Sequence, residues 1–217
     1  MYKNFLKRII DFFLSFFAIV ILAIPMLIIA VAIKIDDPGP AIFKQKRVGK
    51  DKKLFLLYKF RSMKLNTPDI PTHLLTNPDE YIIRIGHFLR KTSLDELPQI
   101  YNIFLGQMSI IGPRPALWNQ EDLIEERDKY AVNDVRPGLT GWAQINGRDE
   151  LEISVKAQLD GDYVKTLSSG NLSAIKMDLR CFFKTIISVF KSDGVVEGGT
   201  GVINGERVTV VVGDTEK

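Results

Sequence analysis

A long apolar run near the amino terminus constrains this chain more than any other feature. Residues 12–33 are all apolar except Ser15 and Pro25. As one helix these residues extend roughly 33 Å, enough to cross a bilayer core of about 30 Å. A cleaved signal peptide fits less well, because its apolar core usually has only about 7–15 residues. The run therefore predicts a segment that is inserted in a membrane.

The apolar run by itself is compatible with two ways of entering the membrane. Basic residues flank both ends, with Lys7 and Arg8 before the run and Lys34 and Lys44 after it. Such residues normally mark the cytoplasmic side, and here both ends qualify. Pro25 divides the run into two pieces that are each too short to cross as a helix. One interpretation is a re-entrant helix that bends at the proline, and the other is a spanning helix that tolerates it.

The charge of the chain is concentrated directly after the apolar run. The whole chain has a net charge of +3, but residues 34–64 carry ten Lys and Arg against three Asp and Glu, a net of +7. This pattern indicates an anionic lipid or a phosphate as the partner. Residues 41–49 and 54–63 have the pattern of two short strands joined by a turn. Their mixed basic and aromatic residues also occur in nucleic-acid-binding proteins, and a solvated strand face is the plain alternative.

Cysteine and glycine usage excludes several classes of protein. Cys181 is the single cysteine, which excludes an intrachain disulfide and fits a reducing compartment. The sequence contains neither a zinc-type cluster of Cys and His nor a glycine-rich nucleotide fingerprint.

Two adjacent carboxylates, Asp95 and Glu96, lie at the centre of the basic and apolar stretch 90–99. Ser93 with Glu96 three residues later is the pattern of a capping box, which opens a helix that we expect to run to about residue 105 and stop at Gly106. The chemical interpretation is that peptide dipoles keep a carboxylate ionised at this helix end, as suits a nucleophile or a metal ligand. Neighbouring residues of a helix face different ways, so the two carboxylates need separate roles.

Two later segments present arginines on restrained backbone. Prolines on both sides of Arg114 restrict its freedom, which suits bidentate phosphate recognition, with a structural salt bridge as the alternative. Residues 136–148 contain Pro-Gly and Asn-Gly, which are typical of a hairpin. Arg136, Trp142 and Arg148 cluster there, and a flat ring with paired cations suits a nucleotide diphosphate.

The remaining segments predict a helix-rich domain. Residues 65–80 are rich in Pro, Thr and Asn and predict a mobile loop that could close over a substrate. Helices are expected at 81–89, 119–131, 151–164 and 175–190. The last of these is amphipathic and suits either the core or, as we favour, the membrane interface. Residues 194–217 are glycine-rich and predict no role.

Four motifs in order carry a resemblance to a known family. They are KFRSM at 59–63, TSLDELP at 92–98, GPRP at 112–115 and RPGLTGW at 136–142. Over about residues 7–193 the chain resembles the bacterial sugar transferases of the monotopic phosphoglycosyl transferase superfamily, in their small single-domain form. The resemblance implies an α+β monotopic membrane fold, helix-rich with a small β-sheet. It also implies a re-entrant membrane helix within 1–35, interfacial amphipathic helices, a catalytic domain at the cytoplasmic face over 36–193, and a tail over 194–217.

The resemblance also implies a reaction and its location. The family moves a sugar-1-phosphate from a UDP-sugar to polyprenyl phosphate and releases UMP, at the cytoplasmic face of the bacterial inner membrane. By likeness, Asp95 is the nucleophile that forms a covalent phosphosugar intermediate, Glu96 is its acid/base partner, and Mg²⁺ binds at Asp95 and the diphosphate. The positions that match substrate-binding residues of the family are Lys59, Arg90 and Arg114 near the phosphates, and Arg136, Gln144 and Arg148 near the nucleotide.

One departure from the family concerns the membrane helix, which in the family breaks at a Ser-Pro pair. Here the pair is Ile24-Pro25, so the expected re-entry depends on the proline and on the basic residues at both ends.

Two other classes of function compete with the transferase. The first is a membrane-anchored scaffold that binds anionic lipid without catalysis, and the second is a membrane-tethered nucleic-acid binder. The ordered arginine and glycine motifs favour the transferase, with a UDP-sugar, polyprenyl phosphate and membrane lipid as partners and no nucleic acid. The sequence does not specify the sugar, the oligomeric state or the glycan pathway.

Overall fold

The computed structural model describes residues 1–67, 78–147 and 151–191. Most of the loop predicted over 65–80 therefore lies outside the described residues, as do Arg148 and the tail 194–217. The described part is rich in helix and contains two small β-sheets. This confirms the expectation of a helix-rich fold with little sheet. The secondary structure consists of helices α1 (Lys7–Asp36), α2 (Arg84–Lys91), α3 (Gln99–Phe104), α4 (Glu121–Asp128), α5 (Ile153–Ser169) and α6 (Asn171–Lys191), and strands β1 (Ile42–Val48), β2 (Leu54–Phe60), β3 (Ser109–Ile111) and β4 (Gly138–Thr140).

The apolar run forms helix α1, which follows a π-helical turn at Tyr2–Leu6. The helix has 30 residues and is continuous through Pro25. A bend of α1 at this proline stays a prediction. Among the described residues, α1 is the one helix long and apolar enough to cross a membrane. Most of its apolar side chains are exposed, with Ile21 and Ile24 more than 70% accessible. Helix α1 is therefore compatible with membrane anchoring.

The amino-terminal end of α1 is bonded to the segment around α3. Arg8 donates to the carbonyls of Ile103 and Phe104 at 2.6 and 2.7 Å. Asp11, only 3% exposed, accepts a hydrogen bond from the Ser109 hydroxyl at 2.7 Å. A buried carboxylate needs such partners because burial without them is costly. This end of the helix is thereby fixed to the domain.

The other end of α1 is bonded to the segment around α2. Ile33 is completely buried, and the carboxylate of Asp36 accepts from the backbone N–H of Ile85 at 3.0 Å. Directly after the helix, Asp37 accepts from Arg61 at 2.6 Å. Both ends of α1 therefore contact one continuous stretch of the chain, residues 84–110, which contains the two adjacent carboxylates.

The two predicted basic strands form an antiparallel hairpin, β1–β2, which confirms that part of the prediction. A short 3₁₀ turn at Lys50–Lys52 joins them. One face of the hairpin is exposed and carries Lys44 and Lys46 opposite Tyr58 and Leu56. The other face buries Leu57 and carries Lys59, while Phe60, on the same face as Tyr58, is buried where the strand ends. The hairpin thus delivers the end of β2, including Lys59, to the interior of the domain.

The prediction of a hairpin within 136–148 is wrong, because Gly138–Thr140 forms a parallel pair with β3. The glycines there serve a close backbone contact. A Cβ at Gly138 would lie 2.1 Å from the backbone nitrogen of Gly112, and one at Gly141 would lie 2.1 Å from the Gly112 carbonyl oxygen. Only glycine allows backbones to approach so closely. This contact joins the GPRP and RPGLTG segments.

Helices α4, α5 and α6 complete the domain. Tyr163 of α5 and Cys181 of α6 are buried in a core that also contains Tyr2. The opposite side of α6 is apolar and exposed, with Phe183 at 58% and Ile187 at 52%. Since this side packs against nothing among the described residues, α6 is not a core helix on all faces. Its role at a membrane interface remains a proposal.

Candidate active site

The two adjacent carboxylates lie in a 3₁₀ turn, Leu94–Glu96, between α2 and α3. Ser93 before them has a left-handed backbone, with φ of 56°, and makes no side-chain capping hydrogen bond. Helix α3 begins only at Gln99. The capping-box interpretation is therefore wrong, because Ser93 closes the end of α2 and the Glu96 side chain bonds elsewhere. The left-handed serine is a strained conformation of the kind found at functional sites.

Glu96 is held by two cations on the same oxygen. Lys59 Nζ and Arg114 Nη2 each lie 3.0 Å from Glu96 Oε1. Lys59 comes from the end of β2 and Arg114 from the proline-flanked segment after β3. Charge-assisted hydrogen bonds of this kind are about twice as strong as neutral ones. Three of the predicted site residues are thus in direct contact.

Asp95 lies beside this cluster but is held less tightly. Its nearest ion-pair contact within the described part of the chain is Lys59 Nζ at 4.0 Å, which is beyond hydrogen-bond distance. Its side chain is 13% exposed. Arg90, at the end of α2, contributes a favourable charge to Asp95. Asp95 therefore has carboxylate oxygens that are available to a ligand.

The environments of the two carboxylates shift their pKa values in opposite directions. Burial raises the pKa of Asp95, Lys59 opposes the rise, and the negative charge of Glu96 adds to it. Burial acts on Glu96 in the same sense, but Arg114 and Lys59 outweigh it and lower the pKa of Glu96 below its ordinary value. The expectation that helix dipoles hold Asp95 ionised is wrong, because α3 begins four residues later.

Arg136 is bonded at the opposite end of α3 from the carboxylates. Its Nε donates to the carbonyl of Gly106 at 3.0 Å, next to the carbonyls bound by Arg8. Gly106 has φ of 81°, which confirms the predicted glycine stop. Cations at a helix carboxyl end complement its exposed carbonyls. The structure thus brings Arg136 to a helix end and not to Glu96 or Asp95.

Gln144 and Trp142 lie together after β4. Both polar atoms of the Gln144 side chain are buried without a hydrogen-bond partner among the described residues. Buried amides are rarely left unsatisfied, so these atoms suit a ligand. The Trp142 ring has Arg180 at 5.1 Å and Lys184 at 5.9 Å from its centre, both from α6. The cations beside Trp142 therefore come from α6. Within the described chain, the predicted partner Arg136 is not one of them.

The donor set around Asp95 fits a metal that is shared with a substrate. Among the described residues, no group of three or more His, Cys, Asp or Glu side chains is close enough to hold a metal by itself. Mg²⁺ typically binds through one or two carboxylates together with substrate phosphates. Asp95 offers such a carboxylate, whereas Glu96 Oε1 is already occupied by cations. The residues present therefore fit Mg²⁺ that is bound jointly by Asp95 and a diphosphate.

Sequence reasoning missed the contacts that hold Arg114 in place. Arg127 donates to the Arg114 carbonyl at 2.9 Å and pairs with the buried Asp160. Arg47 donates to the Pro115 carbonyl at 2.9 Å. The surrounding sequence does not indicate these contacts, because the acidic residues of α4 predict only a solvent-exposed surface helix.

The fold and the site define a protein in which an apolar anchor helix is fixed to a domain with a buried, cation-bound carboxylate pair. The chain belongs to the bacterial sugar transferase family, whose model matches residues 2–192.

Relatives of known name agree with this membership. The chain is 38% identical over 195 residues to the UDP-glucose:undecaprenyl-phosphate glucose-1-phosphate transferase of Escherichia coli, covering 87% of this chain and 41% of the relative. It is 37% identical to the undecaprenyl-phosphate galactose phosphotransferase of Salmonella typhimurium, covering 88% and 42%. The chain thus spans less than half the length of these relatives. It is also 38% identical to the exopolysaccharide production protein PSS of Rhizobium leguminosarum, covering 84% and 94%.

Proposed function

We propose that this protein transfers a sugar-1-phosphate from a UDP-sugar to polyprenyl phosphate and releases UMP, as a first membrane step of glycan assembly. The observation that carries the proposal is the arrangement of Asp95 beside Glu96, with Lys59 and Arg114 both on Glu96 Oε1 at 3.0 Å. A diphosphate and an attacking carboxylate repel each other, and adjacent cations reduce that repulsion. The names of the relatives support the same chemistry, since two of them are named as undecaprenyl-phosphate transferases for glucose-1-phosphate and for galactose.

Asp95 is the proposed nucleophile. One of its oxygens attacks the phosphorus that carries the sugar, a bond from oxygen to phosphorus forms, and the bond to the UMP oxygen breaks with its electron pair leaving on UMP. In the second step, an oxygen of polyprenyl phosphate attacks the same phosphorus and releases Asp95. Each step needs Asp95 as a carboxylate or as a leaving group, and its available oxygens suit both roles.

Glu96 has a positioning and electrostatic role in the free enzyme. Because its pKa is lowered, it is ionised and orders Lys59 and Arg114 at a fixed site. When a diphosphate enters, these cations can turn to its oxygens, which leaves Glu96 able to accept a proton from the attacking polyprenyl phosphate. Arg90 adds positive charge on the side of α2.

Mg²⁺ is proposed to bind at Asp95 together with the diphosphate, where it would neutralise phosphate charge. The nucleotide is proposed to lie toward Gln144, whose amide has no hydrogen-bond partner among the described residues and is therefore suited to bind a ligand. Arg148 is proposed to bind the nucleotide as well, from the family likeness alone. Arg136 is a weaker candidate, because its Nε is engaged by Gly106.

The proposed location is the cytoplasmic face of the bacterial inner membrane, with α1 re-entering on the side from which it came. The support is that both ends of α1 are bonded to one stretch of the domain, through Arg8 and through Asp36. The exposed apolar residues of α1 and α6 then contact lipid. This arrangement brings the carboxylates within reach of both a soluble nucleotide and a lipid phosphate.

The test is a screen for UMP release from a panel of UDP-sugars, with polyprenyl phosphate and Mg²⁺ in detergent or lipid discs. We expect release with at least one UDP-sugar, loss of release with a chelator, and recovery when Mg²⁺ is restored. Without the lipid acceptor, intact-mass analysis should detect a phosphosugar adduct on the wild-type chain and none on Asp95→Asn. No UMP from any UDP-sugar would favour the scaffold that binds lipid without catalysis.

A further inference from the structure

Arg114 is held in place through its backbone by partners far from it in sequence. Prolines on both sides remove two N–H donors from this segment, so its carbonyls provide most of its backbone hydrogen-bonding groups. Four successive carbonyls, 113–116, each accept a hydrogen bond. The donors are Gly138 N to Pro113 at 2.8 Å, Arg127 Nη1 to Arg114 at 2.9 Å, Arg47 Nη1 to Pro115 at 2.9 Å and Val48 N to Ala116 at 3.0 Å.

The donor to the Arg114 carbonyl is a buried side chain. Arg127 is 3% exposed and its remaining nitrogens bind Asp160 Oδ2, Nε at 3.0 Å and Nη2 at 2.5 Å. Asp160 of α5 is fully buried. A guanidinium held at two nitrogens by one carboxylate has a fixed orientation, so its third nitrogen points in one direction. That direction leads to the Arg114 carbonyl.

We propose that Arg127 and Asp160 are positioning residues for the transferase reaction, acting through Arg114. The pair fixes the backbone of Arg114, and this sets the 3.0 Å contact between Arg114 Nη2 and Glu96 Oε1. Neither residue of the pair bonds to Asp95 or Glu96, so neither is a catalytic residue. The inference depends on the proposed function for its kinetic readout, but its structural readout does not.

A purely structural role would also use a buried ion pair, and the two roles differ in one measurable way. If Arg127 acts through Arg114, then removing Arg127 matters only while the Arg114 side chain is present. A double-mutant cycle measures this coupling directly. A general loss of stability would instead lower activity by the same factor in both backgrounds.

The experiment compares kcat/KM for UMP release among wild type, Arg127→Gln, Arg114→Gln and the double variant. We expect Arg127→Gln to lower kcat/KM about tenfold or more in the wild-type background and by less than about twofold in the Arg114→Gln background. Asp160→Asn, which keeps the shape but removes the charge, should behave like Arg127→Gln and replaces it if that variant does not fold. The matched controls are Asp162→Asn on α5 and Lys129→Met directly after α4, both at exposed positions, and they should retain wild-type rates.

Hydrogen exchange supplies the readout that is independent of activity. The N–H groups of Gly138 and Val48 donate to the same proline-rich segment. We expect their exchange to accelerate in Arg127→Gln and Asp160→Asn and to stay unchanged in both controls. Equal fold losses in the two Arg114 backgrounds, full activity of Arg127→Gln, or unchanged exchange would each overturn the positioning role. A wild-type chain that releases no UMP would instead overturn the proposed function, while the exchange measurement still tests the positioning role.

Discussion

The guanidinium of Arg114 donates to Glu96 Oε1 at 3.0 Å, across 18 positions of sequence. Lys59 Nζ donates to the same oxygen at the same distance. This single oxygen therefore accepts hydrogen bonds from two cationic side chains. Oδ2 of the neighbouring Asp95 is 4.0 Å from Lys59 Nζ. The two adjacent carboxylates thus differ in their partners: Glu96 is hydrogen-bonded to two cations, whereas Asp95 is available to a ligand. The separation leads to opposite expectations for their substitution.

Replacing Glu96 by Gln should destabilise the fold and severely impair the reaction. The lowered pKa of Glu96 means that its contribution to stability is present above the pKa of an unfolded glutamate and is lost as pH falls through the folded value. At neutral pH, Glu96→Gln therefore leaves Lys59 and Arg114 without their anion. Thermal unfolding at pH 7 should show a lower midpoint than wild type, and UMP release should fall at least about a hundredfold. Normal turnover would exclude Glu96 from the mechanism.

Replacing Asp95 by Asn should abolish the reaction while keeping or raising stability. The pKa of Asp95 is raised by burial, so its contribution to stability is present below the unfolded pKa and is lost as pH rises through the folded value. At neutral pH the ionised side chain costs stability, and the neutral amide of equal size removes that cost. The unfolding midpoint should be equal to or above that of wild type, with no UMP release. A marked drop in the midpoint would contradict the raised pKa, and retained turnover would contradict the nucleophile.

The pH dependence of the reaction should report the raised pKa of Asp95. If the carboxylate form attacks, kcat/KM falls as pH decreases, with an apparent pKa above the ordinary value of about 3.9 for aspartate. The value belongs to the coupled pair and not to one residue. Because Lys59 lowers the pKa of Asp95, Lys59→Met should shift this acid limb to higher pH. The measurement compares the pH profile of the residual activity of Lys59→Met with that of wild type. A shift of the acid limb to lower pH would contradict the conclusion that Lys59 lowers the pKa of Asp95.

Local sequence singled out three residues that the structure brings into the candidate site, and the local interpretations that failed have a common cause. Asp95, Glu96 and the proline-flanked Arg114 stand out because their neighbours restrict the backbone or repeat a charge. The capping box at Ser93 was plausible locally, but Lys59 and Arg114 bind the Glu96 side chain from distant segments. Arg136 likewise has a partner 30 positions away, at Gly106. Tertiary contacts of this range are not encoded in any short pattern.

The fold shows the same division. The apolar run and the basic hairpin follow from periodicity and charge, and both are present as α1 and β1–β2. The glycines of residues 136–148 correctly indicated an unusual backbone requirement. The requirement is a close contact between backbones and not a hairpin turn. Gly138 and Gly141 admit the backbone of Gly112, 26 positions or more upstream, instead of turning a hairpin. A glycine in the sequence can indicate a close backbone contact, but it does not identify the segment that makes the contact.

The carboxylate of Asp178 joins the first turn of the chain to the last helix. It accepts hydrogen bonds from the Tyr2 hydroxyl at 2.5 Å, Lys7 Nζ at 2.5 Å and the Tyr163 hydroxyl at 2.8 Å. Removing one partner of a buried ion pair typically costs about 3–5 kcal/mol. Asp178→Asn should therefore lower the free energy of unfolding by an amount of that order, measured by denaturant titration in detergent. The exposed Ser173→Ala on the same helix should have no measurable effect, and an equal loss in both variants would contradict the specific role of Asp178.

The two ends of α1 should be accessible from the same side of the membrane. This follows because Arg8 near one end and Asp36 at the other are bonded to one stretch of the domain. In a Cys181→Ser background, single cysteines at Lys3 and Lys50 should both react with a membrane-impermeant maleimide in inside-out vesicles, and neither should react in intact cells. A cysteine at Ile24, in the middle of the helix, should be unreactive in both preparations, because lipid covers its exposed face. Reaction of the Lys3 position from outside the cell, with Lys50 still reactive only from inside, would establish a spanning helix and contradict re-entry.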